Sequence, residues 1–274
     1  MSNILVRTLT GAVFITVVLF PLFWKDEVAS AILGVFMVLG LIEYFQLFKQ
    51  SKEIEPSFEL GLTAGLFVFG ISMAVTYGFI SPVFYLILIP IIFLVFIAEL
   101  WRKKQQPLLN IGVTSLGMMY VVVPFTLMAW FNKELPNNFP LLAGMFILIW
   151  MNDTFAYLSG RFFGKTRLIE RISPNKTWEG TIGGIIFTIL AGVSIGYLFD
   201  NENILFWIIS AVIVAPIAAL GDLLESLFKR NMNVKDSGNI LPGHGGILDR
   251  FDATLFAVPF FIAWTFFYMY FCQN

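Results

Sequence analysis

Residues 204–230 read ILFWIISAVIVAPIAALGDLLESLFKR, and this stretch decides the fold. From Ile204 to Gly221 it carries no charged side chain, a run close to the roughly 20 apolar residues that a helix needs to cross the hydrocarbon of a bilayer. It then turns polar on one side only. Asp222, Glu225, Ser226 and Lys229 recur at i, i+3, i+4 and i+7, so all four share one helical face. A carboxylate directed at lipid costs about 2.5–3.5 kcal/mol, so this face must meet protein, water or a bound cation. An ion pair between Glu225 and Lys229 at an interfacial helix end is the plainest reading of it.

Apolar stretches of the same kind fill most of the chain. Of its 274 residues, 58% are hydrophobic and 13% charged, against about 25% charged in soluble domains, which excludes an ordinary globular protein. Nine candidate spans follow: 4–23, 28–48, 60–79, 82–101, 109–131, 141–159, 179–199, 204–228 and 253–271. The expected fold is therefore an all-α polytopic membrane protein. It divides into an N-terminal region, 1–131, holding spans one to five, and a C-terminal catalytic region, 132–274, holding spans six to nine with long loops at 160–178 and 229–252. Basic residues are retained on the cytoplasmic side of span ends. Of the 17 Lys and Arg residues, 15 fall at the N-terminus or in the loops after spans two, four, six and eight, leaving Lys25 and Lys133 opposite. That distribution predicts a cytoplasmic N-terminus, an external C-terminus, and chemistry at the cytoplasmic ends of the C-terminal helices.

The net charge of −1 provides no bulk basic surface and argues against nucleic acid as a partner. One cysteine, Cys272, and one histidine, His244, exclude an internal disulfide and multi-histidine or cysteine metal sites, leaving oxygen ligands for any metal. The loop after span eight offers such ligands. Lys235 and Asp236 open it, Pro242-Gly243-His244-Gly245-Gly246 lets the backbone turn tightly, and Asp249, Arg250 and Asp252 lead into the last span. Helix capping by Asp249 and a first-turn charge at Asp252 would account for those two acids alone. It would not account for the cations around them. Asp222 and Asp249 are suited to Mg²⁺, which takes one or two carboxylates plus substrate phosphates and water, and Lys and Arg suit a polyphosphate. Phosphoryl or nucleotidyl transfer follows as the expected chemistry.

The loop after span six adds Asn152-Asp153-Thr154 inside an apolar run and Ser173-Pro174-Asn175-Lys176-Thr177-Trp178-Glu179-Gly180 beyond it. Asp153 reads as the most buried acid, either a hydrogen-bonded partner for another span or a supporting group at a metal. Lys176 is expected to meet substrate phosphate. Gly164-Lys165-Thr166 lacks P-loop spacing and follows a span rather than a strand, so it is rejected as one. Glu43, beside Tyr44 in span two, is expected to pair with a basic loop residue, and Glu99 with Arg102 as an i, i+3 pair. Neither receives a site role.

At this point the sequence resembles the phosphatidate cytidylyltransferase family, also called CDP-diacylglycerol synthases. The family's signature, S-x-x-K-R-x4-K-D-x-G-x3-P-G-H-G-G-x-x-D-R-x-D, is met at every fixed position from Ser226 to Asp252. Gly221-Asp222-x-x-Glu225-Ser226 and Ser173-Pro174-x-Lys176-Thr177-x-Glu179-Gly180 match as well, with Asn175 standing where many members carry a second lysine. The resemblance implies transfer of the cytidylyl group of CTP to phosphatidic acid at the cytoplasmic membrane, giving CDP-diacylglycerol and pyrophosphate. It also implies Mg²⁺ with K⁺, a homodimer, and the following roles. Asp222 and Asp249 would be metal ligands and catalytic, joined by Lys229, Arg230 and His244. Lys176, Ser226, Lys235, Asp236 and Arg250 would bind substrate, with Asp153, Glu225 and Asp252 in support. Two other functions fit the same residues: a CTP-dependent lipid kinase releasing CDP, and an ion-coupled transporter using Asp153, Asp222 and Asp249. The crowding of acids on one side of the membrane disfavours the transporter.

Overall fold

The computed structural model describes residues 3–51, 53–135, 139–199, 203–238, 240 and 245–272, with backbone alone for 3–7. Of the described residues, 81% are helical. Among the described residues, eight helical segments are long and apolar enough to cross a membrane, and Thr8–Trp24 adds a shorter apolar one. The protein is an all-α polytopic membrane protein. Helix is the form that lets each segment pair its own amides where water is absent. Side-chain hydroxyls follow the same rule: Thr76, Thr188, Ser194 and Thr265 each donate to the carbonyl four residues back, at 2.8–2.9 Å.

Two compact units emerge, one made of Met1–Pro136 with Asn231–Arg250, the other of Asn137–Arg230 with Phe251–Asn274. The first contains α1 (Asn3–Trp24), α2 (Asp26–Phe48), α3 (Phe58–Thr76), a 3-10 turn leading into α4 (Leu88–Arg102), and α5 (Pro107–Gly117), continued through one π turn, Met118–Val122, into α6 (Val123–Glu134). Helix α2 is its centre, packed on α1, α3 and α6, with Leu41, Tyr44 and Phe45 fully buried. The Tyr44 hydroxyl donates to the Val113 carbonyl at 2.9 Å, and its ring lies against Gly117, where the π turn begins. Around α4 and α5 the expected Glu99–Arg102 pair is present at 2.6 Å and belongs to a larger set. Asn110 Nδ2 also donates to Glu99 (2.8 Å), while Arg102 and Asn110 hold the backbone of Glu55 from both sides.

The second unit holds α7 (Leu141–Phe163), a short antiparallel hairpin of β1 (Arg167–Ile169) and β2 (Ser173–Thr177), α8 (Trp178–Phe199), most of α9 (Ile204–Asn231), and α10 (Leu248–Cys272) from Phe251 onward. The hairpin is an addition to the all-helical reading, and it is where Lys176 sits. Small residues let α7 and α8 approach closely, as in other membrane helix pairs. A Cβ at Gly184 would lie 2.7 Å from Asn152 Oδ1 and 2.9 Å from the Ala156 Cβ. Nearby, Phe155 and Phe187 stack at 4.1 Å. Helix α9 inserts Trp207, which is fully buried, over Gly144 of α7, and Trp264 of α10 donates to Ser210 Oγ at 3.0 Å.

The Trp207 ring occupies the space that a side chain at position 144 would need. Gly144→Ala is therefore expected to lower stability by about 1–3 kcal/mol through overpacking, read as a fall in the thermal unfolding midpoint in detergent.

Candidate functional site

The C-terminal turns of α9 carry the polar face read from the sequence. Ser226 Oγ donates to Asp222 Oδ1 at 3.3 Å, and Lys229 Nζ donates to Glu225 Oε2 at 2.6 Å. Glu225 is fully buried, and only 12% of the Lys229 side chain is exposed, so this pair is largely shielded from water. The hairpin completes the arrangement. Lys176, on β2, places its ammonium 2.6 Å from Asp222 Oδ2 and also donates to the Ala219 carbonyl at 3.3 Å. Arg230 Nε reaches the Ile172 carbonyl, in the turn between the strands, at 3.4 Å.

Local chemistry explains why the hairpin stands there. Thr177 Oγ1 accepts from the Gly180 amide at 3.1 Å, an N-cap that starts α8. Two residues after Thr177, the Glu179 carboxylate accepts the amides of Lys165 and Thr166 at 3.1–3.2 Å and so gathers in the entry to β1. Lys176 is thus fixed between a capped helix and a clasped loop.

Asp252 adds a further acid to this unit. It is half-buried, accepts from its neighbour's amide at Ala253 (2.7 Å), and faces Asp222, Glu225 and Asp153 electrostatically. Of the acids that interact with Asp252, Asp222 is paired with Lys176 and Glu225 with Lys229. Asp153 departs from expectation. The apolar run around it points to the most buried acid, yet it lies exposed on α7, while Glu43 and Glu225 are 1% and 0% exposed. An apolar run in the sequence does not reveal which side of the helix its one acid occupies.

The remaining predicted residues belong to the other unit. Lys235, Asp236 and Arg250 are exposed, and His244, with Pro242 and Gly243, lies outside the described residues. Asp249 is not the N-cap of α10, which starts one residue earlier at Leu248. Its Oδ2 instead accepts the amides of Ser237 (3.0 Å) and Gly246 (2.8 Å), tying together the two ends of the loop. Gly245, between them, has φ +80°, and a Cβ there would lie 2.6 Å from Asp249 Oδ2. Only glycine meets both conditions without strain.

Sequence reasoning passed over Glu43. Among the described residues its carboxylate makes no ion pair with a basic side chain. Glu43 Oε2 accepts the Leu248 amide at 2.8 Å, and Gly238 and Gly246 lie against the same carboxylate. An ionisable residue deep in an apolar span is by default a functional candidate, and that signal was available in the sequence.

With this geometry in view, the chain belongs to the cytidylyltransferase family, whose pattern it matches over residues 5–269. Proteins named phosphatidate cytidylyltransferase are among its relatives. One from Haemophilus influenzae is 41% identical over 175 residues, covering 62% of this chain and 61% of that protein. One from Staphylococcus haemolyticus is 40% identical over 153 residues, 56% of this chain and 55% of that protein. One from Staphylococcus aureus is 39% identical over 175 residues, 63% of this chain and 65% of that protein. The aligned stretch thus spans less than two thirds of each of these relatives.

The two kinds of ion pair differ in what their loss costs. Removing the ammonium from buried Glu225 by Lys229→Met is expected to destabilise the protein by about 3 kcal/mol. Lys104→Met, which breaks the exposed Lys104–Glu55 pair, is expected to cost under about 1 kcal/mol. Thermal unfolding of both variants in detergent checks the contrast.

Proposed function

We propose that this chain is a phosphatidate cytidylyltransferase, transferring the cytidylyl group of CTP to phosphatidic acid with release of pyrophosphate. The observation that carries the reading is the face of α9, where Asp222, Ser226, Glu225 and Lys229 are joined by Lys176 from the hairpin, in a member of the cytidylyltransferase family. The reaction is an in-line displacement. An oxygen of the lipid phosphate attacks the α-phosphorus of CTP, the bond to the β-phosphate bridge breaks, and pyrophosphate leaves with the electron pair. A phosphate monoester has a second pKa near 6, so the nucleophile is already largely a dianion at neutral pH. No general base is needed.

Charge is what the protein must manage. Lys176, Lys229, Arg230, Lys235 and Arg250 are the cations assigned to phosphates, with Ser226 and Asp236 at the substrate and His244 orienting a phosphate or a ligand. Mg²⁺, when bound, neutralises developing charge on the phosphates, and K⁺ is the second cation of this reading. Among the described residues no group of three or more His, Cys, Asp or Glu forms a ready-made metal cage. That agrees with Mg²⁺, which relies on one or two carboxylates, water and substrate oxygens. The carboxylates of Asp222 and Asp249 suit this role. Each accepts hydrogen bonds in the structure, and with about four acceptor sites apiece each keeps capacity for a metal. Asp153, Glu225 and Asp252 support them. The enzyme acts at the cytoplasmic face of the cell membrane, with its N-terminus cytoplasmic, and works as a homodimer.

Purified protein given phosphatidic acid, Mg²⁺, K⁺ and α-³²P-labelled CTP is expected to place label in the lipid fraction as pyrophosphate appears. Asp222→Asn and Asp249→Asn should each lower that rate by at least about 10²-fold in protein that remains folded. Label remaining in soluble CDP while the lipid gains a phosphate would instead identify a lipid kinase. Topology has its own reporter, because Cys272 is the chain's single cysteine and is exposed. A membrane-impermeant maleimide applied to intact cells is expected to label it. Labelling only after permeabilisation would invert the orientation.

A further inference from the structure

The loop between α9 and α10 has to present Asp249 in one position, yet four of its sixteen residues, 232–247, are glycine. Two carboxylates hold the backbone at its ends. Asp249 accepts the amides of Ser237 and Gly246. The other carboxylate comes from a different part of the chain: Glu43, 1% exposed in the C-terminal third of α2, accepts the Leu248 amide at 2.8 Å. The fit around Glu43 is close. A Cβ at Gly238 would stand 2.5 Å from Glu43 Oε1 and 2.7 Å from its carboxyl carbon, and a Cβ at Gly246 would collide with the same carboxylate. For both glycines, each of the three nearest atoms belongs to Glu43. The base on which Glu43 stands is rigid as well. Its neighbour Tyr44 is fully buried and bonded to the Val113 carbonyl, with its ring against Gly117.

We propose that Glu43 is a positioning residue for the transfer reaction: its buried carboxylate seats the loop's backbone at Gly238, Gly246 and Leu248, and thereby sets where Asp249 is presented. Gly238 and Gly246 are glycine because that carboxylate occupies the space beside them. The catalytic part of this inference rests on the reading of Asp249 given under Proposed function. The seating itself does not.

The test uses the full-length protein in detergent. Hydrogen–deuterium exchange of peptides covering 237–248 is expected to speed up in Glu43→Ala while α7 and α8 exchange as in the wild type. Turnover should fall by about 10- to 100-fold, the range seen when a group supporting a metal ligand is lost. The Mg²⁺ concentration for half-maximal rate should rise, and KM for phosphatidic acid should stay within about twofold; a purely structural lesion would lower the amount of active protein without moving the Mg²⁺ requirement. Glu43→Gln retains an oxygen for the Leu248 amide and should lie between wild type and Glu43→Ala. A double-mutant cycle provides the sharper criterion. Gly238→Ala should lower the unfolding midpoint in the wild type and have much less effect beside Glu43→Ala, where the obstructing carboxylate is gone. If Glu43→Ala cannot be recovered folded, Glu43→Gln serves the exchange measurement. Unchanged loop exchange, or a Gly238→Ala effect equal in both backgrounds, would overturn the proposal. Both readouts are independent of turnover, so a wild-type protein that transfers no cytidylyl group would defeat the functional reading and leave the seating to be judged by itself.

Discussion

An amide without a hydrogen-bond partner costs several kcal/mol in hydrocarbon, and every major feature of this protein answers to that constraint. Long apolar segments have one economical form there, the helix, and hydroxyls within them bond back to their own turns, as Thr188 and Thr265 do. Beside the π turn, a side chain bonds the backbone. The π turn after α5 is preceded by Val113, whose carbonyl takes the Tyr44 hydroxyl.

The same constraint governs the charges. A carboxylate retained within or beside an apolar helix must be held by a cation or by amides, and the protein uses both. Glu225 takes the ammonium of Lys229, and Asp222 that of Lys176. Glu43 and Asp249 take backbone amides of the loop instead. The difference suits what each does. An ammonium sits at the end of a flexible side chain, whereas an amide belongs to the backbone and fixes the segment that carries it.

Close packing is the second requirement. Between α7 and α8 it depends on Gly184 and its neighbours, and around Trp207 on Gly144. Without water to drive helices together, contact area and dispersion must do so, which is why small residues in these helices matter as much as large ones. The exposed aromatic and aliphatic side chains, Phe67, Phe93 and Phe267 among them, are the complementary outcome: lipid solvates them as well as protein would.

Composition and run length were enough to determine helices, their number within the short first one, and the one-sided polar end of α9, because in a bilayer the solvent alone decides between helix and its alternatives. Motif spacing was enough to put Asp222, Glu225, Ser226 and Lys229 on one side of α9, because i, i+3, i+4 and i+7 translate directly into a shared helical face. The sequence did not reveal that Lys176 stands on a hairpin clasped by Glu179, that Asp153 is exposed, or that Asp249 binds amides on both arms of its loop. Nor did it reveal that Glu43 binds an amide more than 200 residues away in the chain. Those are contacts between distant segments, and local periodicity contains no term for them. Only the packed structure decides which carboxylate meets an ammonium, which meets an amide, and which meets the surface.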